Sequence, residues 1–379
     1  MAGLYIHYPF CKKACTYCNF HFSTQLKKAY SFTFLMAKEL DMRASFLKNC
    51  PLESIYFGGG SPSLMDPGEL GSFIQDANKR FSFDSEIEIT VELNPDDVSL
   101  DYLQRLKKVA VNRVSLGIQS FRDKDLQLMN RVHNSDQARQ ALEACLSVFE
   151  NVSVDLIYGM PYTNIEDWKE NLSFLNQYPI PHIAAYALTV EPKTALAAQV
   201  VKGEVVLLDE EEVVAQYEYL VNKTESKGLV NYEFSNFGKP GFFSVNNSNY
   251  WKRKPYLGIG PGAHSYDGNT IRNWNISNNN LYRKAIEQGK LAFESEVLSK
   301  KDMFNETLMT GLRTQWGVNR VQIEKDFGEI YARHLEEQCT DHILQNNLFW
   351  DGDTLMVTKQ ARFLTDGIAA DLFLVALES

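Results

Sequence analysis

The feature that most constrains this chain is a loop with three cysteines close to its beginning. Cys11, Cys15 and Cys18 follow directly after the apolar run at residues 4–8. Three thiolates on so short a loop can bind one soft metal centre, and iron–sulfur clusters and zinc are its usual occupants. A 4Fe–4S cluster commonly has four cysteine ligands, so three cysteines leave one iron open to bind a small molecule. A cluster of this kind is a reaction site as well as an electron carrier.

Spacing alone leaves two metal centres open. His21 lies three residues after Cys18, so a structural zinc site with three cysteines and one histidine has the ligands it needs. The next predicted strand ends in Gly58-Gly59-Gly60-Ser61-Pro62, a glycine-rich loop that a zinc knuckle does not need. This second loop favours the iron–sulfur cluster.

Composition limits the class of protein. The chain has 379 residues, 44% of them apolar, which is enough for one large domain and a smaller one. It contains no apolar run long enough to predict a membrane span. The net charge of −10 argues against a general nucleic-acid surface, which needs a basic field. The cysteines outside the loop, Cys50, Cys145 and Cys339, are scattered, and the chain starts almost on its first strand without a targeting peptide. We therefore expect a cytoplasmic protein without disulfides.

Strand and helix patterns alternate along the first 238 residues. Charged and apolar residues alternate at Glu86–Glu92, as in a strand, and Ser99 is placed to cap the following helix. Six strand–helix units of this length predict an α/β fold with a parallel sheet, specifically an incomplete (β/α)6 barrel. Barrel sites lie at the carboxyl ends of the strands. The cysteine loop, the glycine loop, Glu92, Gln119 and Asp155 all fall at such ends.

Together these residues resemble the radical S-adenosylmethionine (SAM) superfamily, in which three cysteines at this spacing hold a 4Fe–4S cluster. The resemblance implies that the open iron binds the amino and carboxylate groups of SAM. It also implies SAM contacts from the glycine loop, from polar side chains at the strand ends and from one backbone position beside adenine. These residues are Tyr5, Gly59, Gly60, Ser61, Glu92, Gln119, Arg131, Asp155 and Ala187. For Arg131, an ordinary position on a helix surface remains an alternative.

Longer motifs resemble the oxygen-independent coproporphyrinogen III oxidases and their relatives. They lie at Tyr5–Cys11, Phe57–Pro62, Val114–Gln119 and Asp155–Pro161. The oxidases have an N-terminal arm that is missing here, and a further cysteine where this chain has Phe20. Both differences make the chain more similar to the radical SAM haem chaperones. The resemblance implies a protein that binds haem and passes it to acceptor proteins. The alternative is the oxidase activity, in which a 5′-deoxyadenosyl radical starts the oxidative decarboxylation of propionate side chains.

One motif departs from the chaperone pattern. The chaperones typically carry His-Asn-x-x-Tyr-Trp after the barrel, whereas this chain reads Asn246-Asn-Ser-Asn-Tyr-Trp251. Asparagine is a poor ligand for haem iron, so we expect weaker haem binding than in a member with the histidine. The haem-binding candidates are Asn247, Tyr250 and Trp251, with His264 as a substitute iron ligand. Roles in turns and packing are an equally good explanation of the first three.

These patterns divide the chain into three predicted parts. The barrel with the cluster and SAM occupies 1–238, an irregular connector 239–290 and a C-terminal domain 291–379. Helical patterns at 322–327 and 329–345, followed by a hairpin turn at Asp351-Gly352, predict a winged-helix-like domain. The acidic net charge favours a packing or lid function over DNA binding.

Overall fold

Six parallel strands, adjacent to one another in chain order, form the centre of the fold. The computed structural model describes residues 1–47 and 50–375. Parallel neighbours joined by helices form the arrangement of a (β/α) barrel, so the predicted α/β class is confirmed. The strands are β1 (Ala2–Tyr8), β2 (Leu52–Gly59), β3 (Phe83–Leu93), β4 (Arg113–Gln119), β5 (Asn151–Tyr158) and β6 (His182–Ala187).

Helices cross between these strands. The predicted cap at Ser99 is confirmed, because its side chain accepts a hydrogen bond from the Tyr102 N–H at 3.2 Å. Asp66 caps the preceding helix in the same way, accepting from the Gly68 N–H at 2.7 Å. Such caps satisfy N–H groups that the first turn leaves without partners. The helices of this half are α1 (Phe32–Met42), α2 (Pro67–Arg80), α3 (Leu100–Lys108), α4 (Asp123–Leu128), α5 (Ser135–Val148), α6 (Ile165–Asn171), α7 (Ala195–Val201) and α8 (Glu210–Glu225).

Residues 239–290 were expected to be irregular, and the structure corrects this expectation. The segment contains α9 (Val245–Trp251), β9 (Tyr256–Ile259), β10 (His264–Tyr266), β11 (Ile271–Asn275) and α10 (Asn279–Glu287). Strand β9 pairs in parallel with β1, and β10, β11 and β12 (Phe293–Val297) continue the sheet in antiparallel pairs. Strands of three to five residues are too short for an alternating pattern to stand out.

On the other side of the barrel, β8 (Asn236–Gly238) pairs antiparallel with β6 and with β7 (Val230–Glu233). In the part of the chain that the structure describes, the main sheet therefore has twelve strands and runs from β12 to β7. The predicted domain boundaries at residues 238 and 290 both fall within the part of the chain that forms this sheet. The boundaries between the domains therefore remain a prediction.

The C-terminal helices and strands pack around a second apolar core, which is separate from the core of the main sheet. Strand β14 (Leu348–Asp351) pairs antiparallel with β15 (Thr354–Val357), which confirms the predicted hairpin, and β13 (Val318–Asn319) completes a small sheet. The winged-helix resemblance stays a prediction. The helices here are α11 (Lys300–Leu312), α12 (Arg320–Phe327), α13 (Glu329–Gln338), α14 (Thr340–Leu344) and α15 (Thr365–Asp371).

Candidate functional site

A cavity of about 380 Å³ lies at the carboxyl ends of the barrel strands. Parallel strands present these ends at one edge of the sheet, which explains why residues distant in sequence meet there. Most of the predicted site residues line this cavity. They are Cys11, Cys15, Cys18, Gly59, Gly60, Ser61, Glu92, Gln119, Arg131, Asp155, Ala187 and Asn247.

The turn that follows α4 holds the cysteine loop in place. The Thr16 N–H donates to the Met129 carbonyl at 3.1 Å, and its hydroxyl donates to the Leu128 carbonyl at 3.0 Å. Asn130, with a left-handed φ of 59°, donates from its side chain to the Ala14 carbonyl at 2.7 Å. Contacts within the protein therefore fix the conformation of the loop.

Polar groups of the protein lie beside the cysteine sulfurs. Arg131 Nη1 donates to Cys15 Sγ at 3.5 Å, and contacts with the Ser61 hydroxyl and the Phe20 N–H act to lower the pKa of Cys11 and Cys18 respectively. Burial raises the pKa of the Cys11 thiol to about 11 and also raises the pKa of Cys18. Iron binding deprotonates a cysteine despite a raised pKa, because the metal charge stabilises the thiolate. Three thiols on one cavity wall are the donor set that a 4Fe–4S cluster with one open iron requires.

The zinc alternative depended on His21. In the structure, His21 Nε2 lies 2.6 Å from Asn279 Oδ1, and His21 is not part of the cavity wall in the described ranges. Nor do residues 1–47 and 50–375 contain three or more His, Cys, Asp or Glu side chains grouped as a site for a single metal ion. A 4Fe–4S cluster differs from such a site, because each cysteine binds a different iron and the sulfurs surround the whole cluster.

The glycine loop passes so close to neighbouring atoms that side chains would not fit on it. A Cβ on Gly60 would come within 2.6 Å of the Phe10 carbonyl oxygen. Gly59 has φ +106°, and a Cβ there would lie 2.6 Å from His7 Nδ1. Glycine is therefore required at both positions, and it leaves the backbone of the loop uncovered beside the cavity.

Glu92 lies beside this loop and carries a perturbed carboxyl group. It accepts hydrogen bonds from the Tyr56 hydroxyl at 2.9 Å and from the Gly59 N–H at 3.2 Å. Burial, with a smaller contribution from Asp155, raises the pKa of Glu92 to about 7. A nearby cation stabilises such a carboxylate, so this wall of the cavity suits a positively charged group.

Asp155 lies on the next strand but one. It accepts hydrogen bonds from the Ser115 hydroxyl, at 2.9 and 3.1 Å to its two oxygens, and from the Ser153 hydroxyl at 3.2 Å. Burial raises its pKa as well. Two half-buried carboxylates with raised pKa values thus face the same cavity, and both would gain from a bound cation.

Sequence reasoning missed several residues of the cavity wall. Along β4, the alternate residues Arg113, Ser115, Gly117 and Gln119 line it, although only Gln119 was predicted. The period of two along a strand is the signal that identifies the others. Further residues that were missed are Tyr17, Tyr56, Asn94, Ser153, Tyr186 and Asn236.

Tyr5 was expected beside SAM, but it lies outside the described cavity wall. Its hydroxyl lies 3.2 Å from His7 Nδ1, and its ring stacks on Tyr56 with 6.1 Å between the centroids. Tyr56 does line the cavity. Tyr5 therefore supports the wall from behind.

The structure does not bring the four haem-binding candidates together. Asn247 lines the cavity, whereas Tyr250 packs edge-on against Tyr256 with 4.6 Å between the ring centroids. Trp251 faces the Arg313 guanidinium at 5.5 Å. His264 is exposed on β10, and its ring centroid lies 6.1 Å from that of Trp274.

Comparisons with known proteins agree with this geometry. Residues 5–175 match the family model of the radical SAM superfamily. The chain is 32% identical over 340 residues to the heme chaperone HemW of Bacillus subtilis, covering 89% of this chain and 88% of that protein. It is 33% identical over 357 residues to the HemW of Lactococcus lactis, covering 94% and 93% of the two chains.

The chain belongs to the HemW family of radical SAM proteins. The resemblance read from the sequence is thus confirmed, and radical SAM membership implies a 4Fe–4S cluster and SAM as cofactors. Among solved structures, coproporphyrinogen III oxidase (HemN) from Escherichia coli matches this HemW-family chain with a TM-score of 0.84. That match covers 99% of this chain and 90% of HemN at 20% identity, so it shows a shared fold only. No helix among the described residues is both long and apolar enough to cross a membrane.

Proposed function

We propose that this chain is a haem chaperone that holds a 4Fe–4S cluster and SAM and delivers haem to an acceptor protein. The observation that carries the proposal is the extent of similarity: both HemW relatives match along about nine-tenths of their length at 32–33% identity. Similarity of this extent includes α9 and the C-terminal elements as well as the barrel. The geometry of the cavity supports the proposed cluster and SAM independently of the similarity to HemW.

In this proposal the cavity wall divides into two parts with different tasks. Cys11, Cys15 and Cys18 hold the cluster, which supplies an open iron to SAM and an electron when reduced. The remaining predicted residues hold SAM: the backbone at 59–61 allows close approach, and Arg131 donates hydrogen bonds. Glu92 and Asp155 balance the positive charge of a sulfonium and an ammonium. Gln119 and the backbone at Ala187 complete the wall.

Haem is proposed to bind at the α9 segment and His264. Asn246 is 3% exposed, and its backbone N–H donates to Glu88 Oε1 at 3.3 Å. Haem iron therefore reaches the side chain at position 246 only after α9 moves away from the barrel. His264 is exposed and retains an imidazole, so it is the substitute iron ligand in the proposal. Partial desolvation of its ring, together with the neighbouring Arg272, lowers the pKa of His264, which favours the neutral form that binds iron.

The proposal also includes the cell compartment. All six cysteines of the chain are free in the structure. Free thiols are typical of a reducing compartment, and we propose the cytoplasm.

The cofactor part is tested by anaerobic reconstitution, iron and sulfide analysis and Mössbauer spectroscopy. We expect one 4Fe–4S cluster per chain in the wild type and none when Cys11, Cys15 and Cys18 are all replaced by serine. Cys50→Ser is the matched control, because Cys50 does not line the described cavity. One zinc per chain without a 4Fe–4S signal would contradict the proposal.

The haem part is tested by titrating haemin into the reconstituted protein and following the Soret band. We expect binding that is weakened by His264→Ala and strengthened by Asn246→His. Transfer is then followed by adding apomyoglobin to the haem-loaded protein. The chaperone proposal fails if neither the wild type nor Asn246→His binds haem. The argument from the missing histidine fails if the wild type binds one equivalent tightly and Asn246→His adds nothing.

The oxidase alternative requires its own assay, because the HemN match shows the fold and not the activity. Consumption of coproporphyrinogen III is measured anaerobically with SAM and a reductant. We expect no consumption by this chain. Sustained turnover would reject haem delivery as its only function.

A further inference from the structure

Hydrogen bonds connect three side chains that lie between two of the cysteines. Arg131 donates from Nη1 to Cys15 Sγ at 3.5 Å and from Nη2 to Asn94 Oδ1 at 2.7 Å. Asn94 donates from Nδ2 to Ser61 Oγ at 2.7 Å, and the Ser61 hydroxyl lies beside the Cys11 thiol. We refer to these three residues as the Arg131–Asn94–Ser61 chain. It runs from the sulfur of Cys15 to the hydroxyl group beside Cys11.

The chemistry of these three side chains determines which atom donates and which accepts in each hydrogen bond. A guanidinium only donates, so the Asn94 carbonyl must face Arg131 and its amino group must face Ser61. The Ser61 oxygen then accepts from Asn94, which leaves the Ser61 proton for Cys11. Hydrogen bonds arranged in one direction polarise one another, so the donor at Cys11 is strengthened by the positive charge of Arg131.

The chain is also anchored to the barrel. Arg131 Nη2 donates a second hydrogen bond to the Gly117 carbonyl on β4 at 2.8 Å. The Asn94 N–H donates to Ser63 Oγ at 3.3 Å, and Ser61 is 4% exposed. These contacts hold the side chains in place, so the donors are directed at the sulfurs before a cofactor binds.

We propose that Asn94 is a positioning residue that sets the reduction potential of the cluster, acting through Arg131 and Ser61. The inference rests on the proposed function, because it requires a 4Fe–4S cluster on the three cysteines. Reduction adds negative charge to a cluster, and hydrogen bonds to its sulfurs and a nearby cation stabilise that charge. The Arg131–Asn94–Ser61 chain therefore raises the reduction potential. Asn94 was not among the residues predicted from the sequence.

The test is a redox titration of the reconstituted cluster, followed by electron paramagnetic resonance without SAM. We expect Asn94→Ala to make the potential more negative while the content of iron and sulfide stays at the wild-type level. Ser61→Ala is expected to shift it in the same direction. The double variant is expected to shift it by less than the sum, because part of the effect of Asn94→Ala acts through the Ser61 hydroxyl, which Ser61→Ala removes. Asn94→Leu serves if Asn94→Ala folds poorly, since leucine keeps most of the side-chain volume, adds no charge and can neither accept from Arg131 nor donate to Ser61.

Asn130→Ala is the matched control. Asn130 also contacts the cysteine loop, but through the Ala14 carbonyl and without touching a sulfur. Because Asn130 helps to fix the loop but donates to no sulfur, we expect Asn130→Ala to shift the potential less than Asn94→Ala does. The inference is overturned if Asn94→Ala leaves the potential unchanged, or if Asn130→Ala shifts it equally, since general loosening of the loop then explains both. A wild type that forms no cluster contradicts the proposed function itself.

Discussion

The carboxylate of Glu88 accepts hydrogen bonds from the backbone N–H of Val245, at 3.1 and 3.2 Å to its two oxygens. Glu88 is a barrel residue on β3, and Val245 is the first residue of α9. The same carboxylate lies 3.7 Å from Nε of the buried Arg113. One buried side chain therefore joins the barrel to the helix that carries the proposed haem segment.

Glu88→Gln is expected to destabilise the fold strongly. The glutamine retains an acceptor for α9, but it removes the charge that balances Arg113. Removing one partner of a buried ion pair costs about 3–5 kcal/mol, because the other charge is left buried and alone. Urea unfolding measures the loss. Glu86→Gln, at an exposed position on the same strand, is the control and should change the free energy of unfolding little. Equal effects of the two substitutions would show that the Glu88–Arg113 pair contributes no stability.

Much of the cavity wall was predictable because the rule for parallel strands is general. The cysteine loop, the glycine loop, Glu92, Gln119 and Asp155 each follow or end a strand pattern, and the strand order equals the chain order. A pattern of alternating strands and helices then places these residues at one edge without further information. The same pattern predicts that alternate residues of β4 face inward.

The parts that the sequence did not predict depend on long-range contacts. Asn94 forms hydrogen bonds with residues that are 33 and 37 positions away in the sequence. The residues next to Asn94 in the sequence do not indicate either partner. Residues 239–290 form short strands that are stabilised by pairing with β1 and with one another, rather than by a pattern of their own. The burial of Asn246 depends on the same packing. The sequence therefore shows that the histidine is missing, but it does not show that position 246 is buried.

Gly60→Ala is expected to lower both stability and SAM binding. The added Cβ would meet the backbone of Phe10 and Tyr8 at 2.6–2.8 Å, and backbone atoms cannot move aside without shifting β1 or the cysteine loop. Overpacking of this kind costs about 1–3 kcal/mol. Thermal unfolding and SAM binding by calorimetry measure the two effects. Gly367→Ala is the control, because its Cβ meets nothing within 4 Å. Wild-type SAM affinity in Gly60→Ala would show that close backbone approach is not needed.

Glu92→Gln is expected to flatten the dependence of stability on pH in the cofactor-free protein. The folded-state pKa of about 7 lies above the ordinary value of 4.5, so folding favours the protonated carboxyl. Its contribution to stability is therefore full below about pH 4.5 and is lost as the pH rises through 7. We expect the free energy of unfolding of the wild type to fall, relative to Glu92→Gln, between about pH 5 and pH 8. Urea unfolding across this range measures the difference. Parallel curves for the two proteins would contradict the raised pKa.

The last prediction concerns how α9 opens for haem. The chain just beyond its C-terminal end is attached to α11: Arg253 donates from Nη1 to the Met303 carbonyl at 3.1 Å and to Thr307 Oγ1 at 2.7 Å. Lys252 Nζ also lies 4.1 Å from the centroid of the Trp316 ring. Haem binding at α9 requires these contacts to break, so weakening them should favour the open form.

Arg253→Ala is therefore expected to accelerate haem binding. Arg253→Ala removes these two hydrogen bonds and a third, from Nη2 to the Tyr266 hydroxyl at 3.0 Å. At about 0.5–1.5 kcal/mol each, their loss shifts the opening equilibrium by roughly tenfold or more, since 1.4 kcal/mol corresponds to a factor of ten. Stopped-flow absorption at the Soret band measures the rate. Arg333→Ala is the control, because Arg333 donates to Glu329 within α13 at 2.8 Å and its loss leaves the attachments of α9 in place. If both variants bind haem at the wild-type rate, the attachment of α9 to α11 does not control access, and haem binds at the exposed His264 without movement of the helix.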